Sequence, residues 1–350
     1  MYDFLFITNI PSFYKINLYN ALAKKSKIYV LFLSAGSNIR SADFFNGEML
    51  FEYRVLDSQI YEKRSWFSNG LKILKLMKSI EFYKVVVGGW DTQEYWLTVL
   101  SNKRAKNAVV VESSISESTS SGVKGLIKKF FVSRLSTAFV SGIKHKSLLK
   151  ALDFSGEVVI TGGVGLINRT STDKVDDHFY GHFLYVGRLS EEKNLHYLVN
   201  AFNQLNHLKL TILGQGPLEE ELKNLAGDNI QFIRNWLNSE INEIYLKNDV
   251  LLLTSHREPW GLVIEEALYY GLPVIVSQQV GCVSDLVTAY DSGLIIDENN
   301  QQSLVEALLT LSQQKTYQKF HKNVSMIDFE QRIHDQVDSY FKVIQPDDVS

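Results

Sequence analysis

Short runs of apolar residues alternate with segments of helical periodicity along the 350-residue chain. In the first half these runs are rich in Val, Ile, Phe and Tyr, and successive positions are apolar. Such runs are typical of parallel strands whose two faces are both covered by helices. The predicted strands lie at 2–8, 28–33, 51–56, 85–87, 108–111, 138–140 and 158–160, with helices at 15–24, 71–80 and 93–102.

A polar stretch at 168–177 interrupts this alternation and is interpreted as a linker. Two strand–helix series on either side of one linker predict an α/β protein of two doubly wound, Rossmann-like domains that face each other across a cleft. Ligands of such sheets bind beyond the carboxyl ends of the strands, so the loops after strands are the informative places. In the second half, strands are predicted at 183–186, 208–213, 230–232, 250–253, 273–276 and 293–296, and helices at 194–205, 218–225, 240–246, 260–270, 283–287 and 303–311.

The loop after the strand at 183–186 carries two cations, Arg188 and Lys193, and leads into a predicted helix that Ser190 is placed to cap. A lysine at a helix N-terminus is unfavourable by roughly 0.3–1 kcal/mol. The conflict disappears if an anion binds there, because helix amides, Arg188 and Lys193 would converge on a diphosphate. Two solvated surface cations are the simpler alternative.

A tight turn, Gly214-Gln215-Gly216-Pro217, follows the strand at 208–213. Glycine lets a backbone approach a ligand closely. A plain turn explains so short a motif equally well, and the third glycine of a dinucleotide-binding fingerprint is missing.

The segment after the strand at 250–253 is the most distinctive. Glu258 is expected at a helix start, with Pro259 at the first helical position. Glu258 either stabilises that helix start or lines a ligand site. Glu265 and Glu266 follow on the helix. Helical geometry leaves open which of them joins Glu258, because at about 100° per residue they point in different directions.

Together these motifs resemble the retaining family-four glycosyltransferases of the GT-B fold. The family's E-x7-E signature appears as Glu258 to Glu266, its G-R-L-S-x-x-K-N segment as Gly187 to Asn194, and its G-x-G-P turn as Gly214 to Pro217. The opening Ile7-Thr8-Asn9-Ile10-Pro11-Ser12-x-Tyr14 resembles a subset that builds bacterial surface polysaccharides. The similarity spans almost the whole chain and is most specific in the second domain.

The resemblance implies an enzyme that moves a hexosyl unit from a nucleotide-sugar to a saccharide or lipid-diphosphate acceptor, with retention, in capsule, O-antigen or exopolysaccharide synthesis. It implies an acceptor-binding domain at 1–168, a donor-binding domain at 169–325, and a final helix within 326–350 that packs back onto the first domain. The nucleotide-sugar is a substrate, so no cofactor is expected, and a UDP-sugar is favoured over a GDP-sugar. No metal is expected, because the chain lacks the Asp-x-Asp motif of metal-dependent transferases.

The same resemblance assigns the site residues. Arg188 and Lys193 would stabilise the diphosphate leaving group, and Glu258 would face the donor sugar. Preorganised charges aimed at developing negative charge are the largest available catalytic effect. The expected donor-binding set is Gly187, Gly214, Gly216, Asn235, Trp236, Trp260, Gly261, Leu262 and Glu266, the last holding the ribose. The expected acceptor-binding set is Asn9, Pro11, Ser12, Tyr14 and Glu112.

One position departs from the family pattern. Many members carry a histidine after a first-domain strand, whereas here the strand at 108–111 is followed by Glu112. Glu112 is interpreted either as a group that activates an acceptor hydroxyl or as a solvated loop carboxylate.

Charge is divided unevenly along the chain. Residues 1–170 carry 23 Lys and Arg against 13 Asp and Glu, a net of +10, whereas 171–350 carry 13 against 26, a net of −13. A basic half suggests an anionic partner, although drift in surface composition is the simpler alternative. The segment 124–135 is basic and amphipathic, so it either rests on an anionic membrane or covers the sheet as an ordinary helix.

Composition narrows the function classes. No run approaches the ~18 apolar residues of a membrane span, and a single cysteine, Cys282, fits a reducing compartment. We therefore expect a cytoplasmic protein that is at most peripheral on the inner membrane. Nucleic-acid binding is disfavoured, because aromatic and basic residues do not interleave. Two alternatives to a transferase remain: a GT-B epimerase or nucleotide-sugar hydrolase, and a catalytically silent nucleotide-sugar-binding partner.

Overall fold

The computed structural model describes residues 1–38, 47–168, 176–234 and 241–344, and the chain forms two compact units. Unit 1 comprises residues 1–168 and the chain from Glu330 onward, and unit 2 comprises residues 169–329. Seven parallel strands form the sheet of unit 1, and six form that of unit 2. Each predicted strand is present, so the prediction of two Rossmann-like α/β domains is confirmed.

The sheet of unit 1 has the strand order β3-β2-β1-β4-β5-β6-β7. Its strands are β1 (Tyr2–Thr8), β2 (Ile28–Phe32), β3 (Glu52–Val55), β4 (Phe82–Val87), β5 (Asn107–Val111), β6 (Thr137–Val140) and β7 (Glu157–Ile160). Its first helices are α1 (Phe13–Ala23), α2 (Trp66–Ser79), α3 (Gln93–Leu100), α4 (Gly122–Val132) and α5 (Ile143–Ala151).

Both faces of this sheet are buried, because successive strand residues point to opposite sides. Leu5 and Ile7 of β1 join a core with α2, α3, α4 and α5. Phe4 and Phe6 join a second core with α1 on the other face. The apolar run 4–7 within β1 is therefore required by helices on both sides.

Unit 2 repeats this architecture with the strand order β10-β9-β8-β11-β12-β13. Its strands are β8 (His182–Val186), β9 (Lys209–Leu213), β10 (Ile230–Ile233), β11 (Val250–Leu253), β12 (Val274–Ser277) and β13 (Gly293–Ile296). Its helices are α6 (Leu195–Gln204), α7 (Glu219–Leu225), α8 (Ile241–Leu246), α9 (Leu262–Tyr269), α10 (Gln301–Leu311) and α11 (Gln314–Ser325), with a π-helical turn at Val283–Thr288.

The last helix, α12 (Phe329–Phe341), completes the core of unit 1. The Tyr340 ring stacks on Phe139 of β6 with centroids 4.5 Å apart, and meets Phe4 of β1 edge-on at 6.5 Å. No helix in the described part of the chain has both the length and the hydropathy of a transmembrane span.

The prediction of a helix from 260, with Pro259 at its first position, is wrong, because α9 begins at Leu262. Residues 258–260 lie instead against 280–282: Gly281 N donates to Glu258 O at 2.9 Å, and Cys282 N to Trp260 O at 3.0 Å. Tertiary backbone pairing thus overrides the local helix signal. Among the described residues, the structure contains two further helices outside the predicted ones, α5 and α11.

Candidate functional site

Three motif-bearing loops of unit 2 follow neighbouring strands. β8 lies between β9 and β11, so the loops at 187–194, 214–218 and 254–261 leave the same sheet edge side by side. This edge is where the strand order reverses, the usual ligand position in doubly wound sheets. Backbone hydrogen bonds join the loops: Leu189 N donates to Gln215 O, and His256 N to Glu192 O, both at 2.9 Å.

Lys193 and Glu258 are in direct contact. The ammonium of Lys193 donates to the Glu258 carboxylate in an ion pair whose side chains are only 18% and 15% exposed. Thr254 Oγ1 donates to Lys193 O at 3.2 Å and holds that backbone beside β11. Two of the expected catalytic residues, drawn from different loops, therefore meet.

Arg188 lies beside this pair in sequence and is exposed. The Tyr185 hydroxyl donates to Arg188 O at 2.9 Å, which anchors the backbone. Its guanidinium makes no hydrogen bond or ion pair with any residue that the structure describes. The loop therefore presents a cation that protein groups leave available.

The expected capping role of Ser190 is wrong. Its hydroxyl donates to Glu192 Oε1 at 2.6 Å and makes no capping hydrogen bond. Burial acts to raise the pKa of Glu192, but the Ser190 hydroxyl and the charges of Lys193 and Arg188 outweigh it and lower the pKa. Glu192 therefore stays ionised at the edge of the basic loop.

The two glycines of the turn after β9 are explained by backbone packing. A Cβ on Gly214 would lie 1.9 Å from Gly187 O, and one on Gly216 would lie 2.2 Å from Leu189 O. Glycine is needed here so that the β9 loop can approach the β8 loop. Their expected contact with a donor stays a prediction.

The start of α9 presents backbone amides. Gly261 adopts φ = 101°, a left-handed conformation that favours glycine, and precedes the first helical residue, Leu262. Among the described residues, no acceptor receives the N–H groups of Gly261 or Leu262. Trp260 is turned inward at 2% exposure, and its indole Nε1 donates to Glu265 Oε2 at 3.1 Å.

The structure separates the roles of the two adjacent glutamates on α9. Glu265 is buried against Trp260, whereas Glu266 is partly accessible and accepts a hydrogen bond from the Tyr245 hydroxyl at 2.8 Å. Burial raises the pKa of Glu266 to about 7, the neighbouring Glu265 adds to the rise, and the Tyr245 hydrogen bond opposes it. Of the two residues, only Glu266 keeps partial exposure, and its expected contact with a ribose stays a prediction.

Asn235 and Trp236 lie outside the described residues. Arg234, which follows β10, forms an ion pair with Glu219, with Nε and Oε2 3.5 Å apart. Gln215 Nε2 donates to Arg234 O at 3.0 Å, so the β10 loop adjoins the β9 loop.

The expected acceptor-binding residues after β1 are partly occupied by structural contacts. The Tyr95 hydroxyl donates to the Asn9 side chain. Pro11 and Ser12 are buried, and Ser12 O accepts from two amides of the first turn of α1. Tyr14 O accepts from Leu166 N at 2.9 Å. Asn9 and Tyr14 keep partial exposure, so only these two offer side-chain surface to a ligand.

Glu112 is not a purely solvated loop residue. Its Oε1 lies 3.0 Å from the Nζ of Lys15, a lysine of α1 that is 12% exposed and also donates to Thr8 Oγ1 at 3.3 Å. Burial opposes the charge on Lys15, but attraction to Glu112 prevails and raises the pKa of Lys15. A small cavity beside this pair is also lined by Tyr19 and by Tyr340 of α12.

Sequence reasoning missed three residues that organise these sites: Lys15, Thr254 and Tyr245. Lys15 and Tyr245 lie within predicted helices and carry no motif. Their importance comes from partners 97 and 21 residues away, Glu112 and Glu266, which no local pattern indicates.

The chain is similar to known glycosyltransferases in sequence. Residues 174–325, almost the whole of unit 2, match the family model described as glycosyl transferases group 1. An uncharacterized glycosyltransferase of Haemophilus influenzae is 25% identical over 304 residues, which cover 84% of either chain.

Solved structures share the fold over the full length. The lipopolysaccharide outer core galactosyltransferase WaaB, in its apo form, gives a TM-score of 0.71 at 14% identity over 97% of this chain and 99% of its own. Anabaena Alr3699/HepE in complex with UDP gives 0.71 at 14% identity over 98% and 99%. At such identities the likeness establishes the fold, which is that of the GT-B glycosyltransferases.

Proposed function

We propose that this chain, whose residues 174–325 match the family model of glycosyl transferases group 1, transfers a hexosyl residue from a UDP-sugar to a saccharide or lipid-linked acceptor. The observation that carries the proposal is the contact between Lys193 and Glu258, in which Lys193 belongs to the loop that also carries the exposed Arg188. Cations and a carboxylate converge at the sheet edge where nucleotides bind in this architecture. The complex of Anabaena Alr3699/HepE with UDP favours uridine as the base.

The chemistry follows from the charge of the leaving group. Breaking the bond between the sugar and the diphosphate leaves a new negative charge on the departing oxygen. Arg188 and Lys193 would stabilise that charge, as would the N–H groups of Gly261 and Leu262 at the start of α9. Because protein cations supply this charge, the proposed reaction needs no metal ion.

The carboxylates would orient the donor. Glu258 would accept hydrogen bonds from the sugar hydroxyls, and Glu266, held by Tyr245, from the ribose. A bound diphosphate would compete with Glu258 for the Lys193 ammonium, so donor binding would loosen the present ion pair. The proposed donor site is completed by six further residues: Gly187, Gly214, Gly216, Asn235, Trp236 and Trp260. Retention of configuration is proposed from the resemblance alone.

Unit 1 is proposed to bind the acceptor. Asn9 and Tyr14 are partly exposed after β1, and Glu112 is held by Lys15 after β5. The opening motif and the fold shared with a lipopolysaccharide galactosyltransferase favour a role in bacterial polysaccharide synthesis.

The competing functions use the same donor site and differ in outcome. A hydrolase would release free sugar without an acceptor. An epimerase would return a sugar or nucleotide-sugar in which one carbon centre of the sugar is inverted, and a silent partner would bind without turnover. An enzyme is favoured over a silent partner, because binding alone does not need all four of the residues Arg188, Lys193, Glu258 and Glu266.

The test is thermal-shift binding against UDP and against UDP-, GDP- and ADP-sugars, with Glu258→Ala alongside the wild type. A ligand at a hundredfold excess over its Kd stabilises the folded state by about 2.7 kcal/mol. We expect UDP-sugars to raise the melting temperature, one sugar to exceed UDP itself, and the variant to lose only that excess. No shift with any nucleotide-sugar would contradict the donor site. Binding without transfer in later acceptor trials would favour the silent partner.

A further inference from the structure

Helix α4 exposes its apolar side to solvent. Four of its apolar side chains are largely exposed: Val123 at 74%, Leu126 at 67%, Ile127 at 50% and Phe130 at 46%. At 3.6 residues per turn these four positions share an arc of about 100°. Gly125 and Val132 on the opposite side are buried, as is Phe131 at the border of the arc, and Phe131 and Val132 join the core of the sheet. The helix therefore does cover the sheet, but it also presents a continuous apolar arc outward.

Basic residues border this arc. Lys124 is exposed on one side of it, and Arg134, just beyond the helix, lies over the Phe130 ring at 4.9 Å. Lys128 and Lys129 flank the buried side, and α4 contains no acidic residue. Asp153 pairs with Lys129 and Glu117 lies near Lys128, whereas Lys124 and Arg134 have no described acidic partner. The net charge around the arc is positive.

A second exposed apolar group lies on α2, which packs on the same side of the sheet as α4. Trp66 and Phe67, at the start of α2, are 47% and 62% exposed and meet edge-on at 5.8 Å. Helices α2 and α4 contribute to one core cluster, and α3 lies between them, with Trp96 packed on Phe131. Because α2 and α4 each follow a parallel strand, both begin toward the carboxyl edge of the sheet.

From this arrangement we infer that unit 1 docks on an anionic lipid surface, with α4 lying in the interface and Trp66 and Phe67 as a second anchor. Apolar side chains bordered by Lys and Arg are the chemistry of interfacial helices, and aromatic residues favour the headgroup region. The net charge of unit 1 adds longer-range attraction, because residues 1–168 carry +9 and residues 330–350 carry −3, which leaves +6. The surface, defined by Trp66, Phe67, Val123, Leu126, Ile127 and Phe130, is called the docking face.

Docking does not depend on the identity of the donor sugar. It would hold the first unit beside membrane-embedded substrates, if the acceptor is lipid-linked. The inference is therefore tested by binding to lipid vesicles alone. Its outcome is independent of whether the proposed transfer reaction takes place.

The experiment is flotation of the full chain with vesicles of phosphatidylcholine, with and without phosphatidylglycerol, at low and high salt. We expect binding to the anionic vesicles at low salt and little to pure phosphatidylcholine. Each of Lys124→Gln and Arg134→Gln should raise the lipid concentration for half binding about fivefold, corresponding to about 1 kcal/mol per cation. Leu126→Ser with Ile127→Ser should weaken binding at least as much.

Matched controls separate the docking face from general surface effects. Leu309→Ser removes an exposed leucine of α10 in unit 2, and Lys24→Gln removes an exposed cation at the end of α1. Both should bind anionic vesicles like the wild type. Melting temperatures confirm that each variant folds.

Three results would overturn the inference. The wild type could fail to bind anionic vesicles, or the Leu126 and Ile127 variant could bind as well as the wild type. In light scattering without lipid, the wild type could form a dimer that the same variant abolishes, which would assign the docking face to a second copy of this chain.

Discussion

Lys193 and Glu258, 65 residues apart in the chain, form an ion pair that joins the loop after β8 to the loop after β11. The pair is mostly shielded from solvent, and the hydrogen bonds from Thr254 and His256 hold the same two loops together. The ion pair and these hydrogen bonds thus fix the two loops relative to each other. A fixed loop backbone reduces the reorganisation needed when charge develops during a reaction, even though a bound diphosphate would replace the contact of Lys193 with Glu258.

Substitution of either cation should greatly reduce sugar transfer. Lys193→Ala and Arg188→Ala each remove a charge aimed at the proposed diphosphate, and the loss of one such group typically lowers kcat by about 10²–10³. Initial rates at saturating donor measure the effect. Lys315→Ala, which removes an exposed lysine of α11, should stay within about twofold. A Lys193→Ala enzyme with wild-type kcat would exclude a catalytic role for this residue.

Adding a methyl group at Gly214 should separate the loops after β8 and β9. The Cβ would overlap the carbonyl of Gly187, and such overpacking costs about 1–3 kcal/mol or more. We expect Gly214→Ala to lower both the melting temperature and the nucleotide-sugar thermal shift.

Gly122→Ala is the matched control for Gly214→Ala. Gly122 has a positive φ but no neighbour within 4 Å of an added Cβ, so this variant carries backbone strain alone. It should keep full nucleotide binding. If both variants lost the same melting temperature and the same nucleotide-sugar thermal shift, loop packing would not be the reason for glycine at position 214.

The stability of unit 2 should carry a pH-dependent contribution from Glu266. Its pKa rises on folding from 4.5 to about 7, so ionisation is costlier in the folded state. The cost is absent below about pH 4.5, grows as the pH rises, and is complete above about pH 7, at up to about 3 kcal/mol. Glu266→Gln should therefore stabilise the protein above pH 7 and have little effect below pH 4.5.

Melting temperatures across this pH window provide the measurement. The control is Glu306→Gln, which removes an exposed carboxylate of α10. Its melting temperature should differ from that of the wild type by the same amount at every pH of the window. Tyr245→Phe removes the hydrogen bond that lowers the Glu266 pKa, so it should move the upper end of the window above pH 7. If the difference in melting temperature between Glu266→Gln and wild type did not change with pH, the raised pKa of Glu266 would be contradicted.

Removal of Lys15 should destabilise the region around β1 and β5. Lys15→Met leaves the Glu112 carboxylate without its cation in a partly buried site, at a cost of about 1–3 kcal/mol. The double variant with Glu112→Gln should recover part of this loss, because the unpaired charge is gone. Hydrogen exchange of the amides in β1 and β5 measures the local effect.

Donor binding serves as the control for this pair. The proposed donor site lies in unit 2, so the thermal shift caused by a UDP-sugar should be the same for Lys15→Met and wild type. If Glu112 also acts on the acceptor, Glu112→Gln should lower the rate of transfer while that shift is retained. Unchanged exchange in Lys15→Met would show that the ion pair contributes nothing to stability.

The strands could be predicted from the sequence because their physical cause is local. A strand buried on both faces must be apolar at successive positions, as in β1, and this signal needs no knowledge of its neighbours. The start of α9 could not be predicted in this way. Pro259 favours a helix locally, but the backbone hydrogen bonds of Glu258 and Trp260 with residues 281 and 282 hold this segment outside the helix.

The amino-acid sequence by itself determined the two α/β units and the motifs on loops after strands. Both follow from apolar runs and residue types that act over a few positions. Only the tertiary structure decided that Glu266 rather than Glu265 is accessible, because the difference depends on Trp260 and Tyr245. It also decided that the apolar arc of α4 faces solvent, since the same amphipathic pattern is compatible with either orientation until the neighbours of the helix are in place.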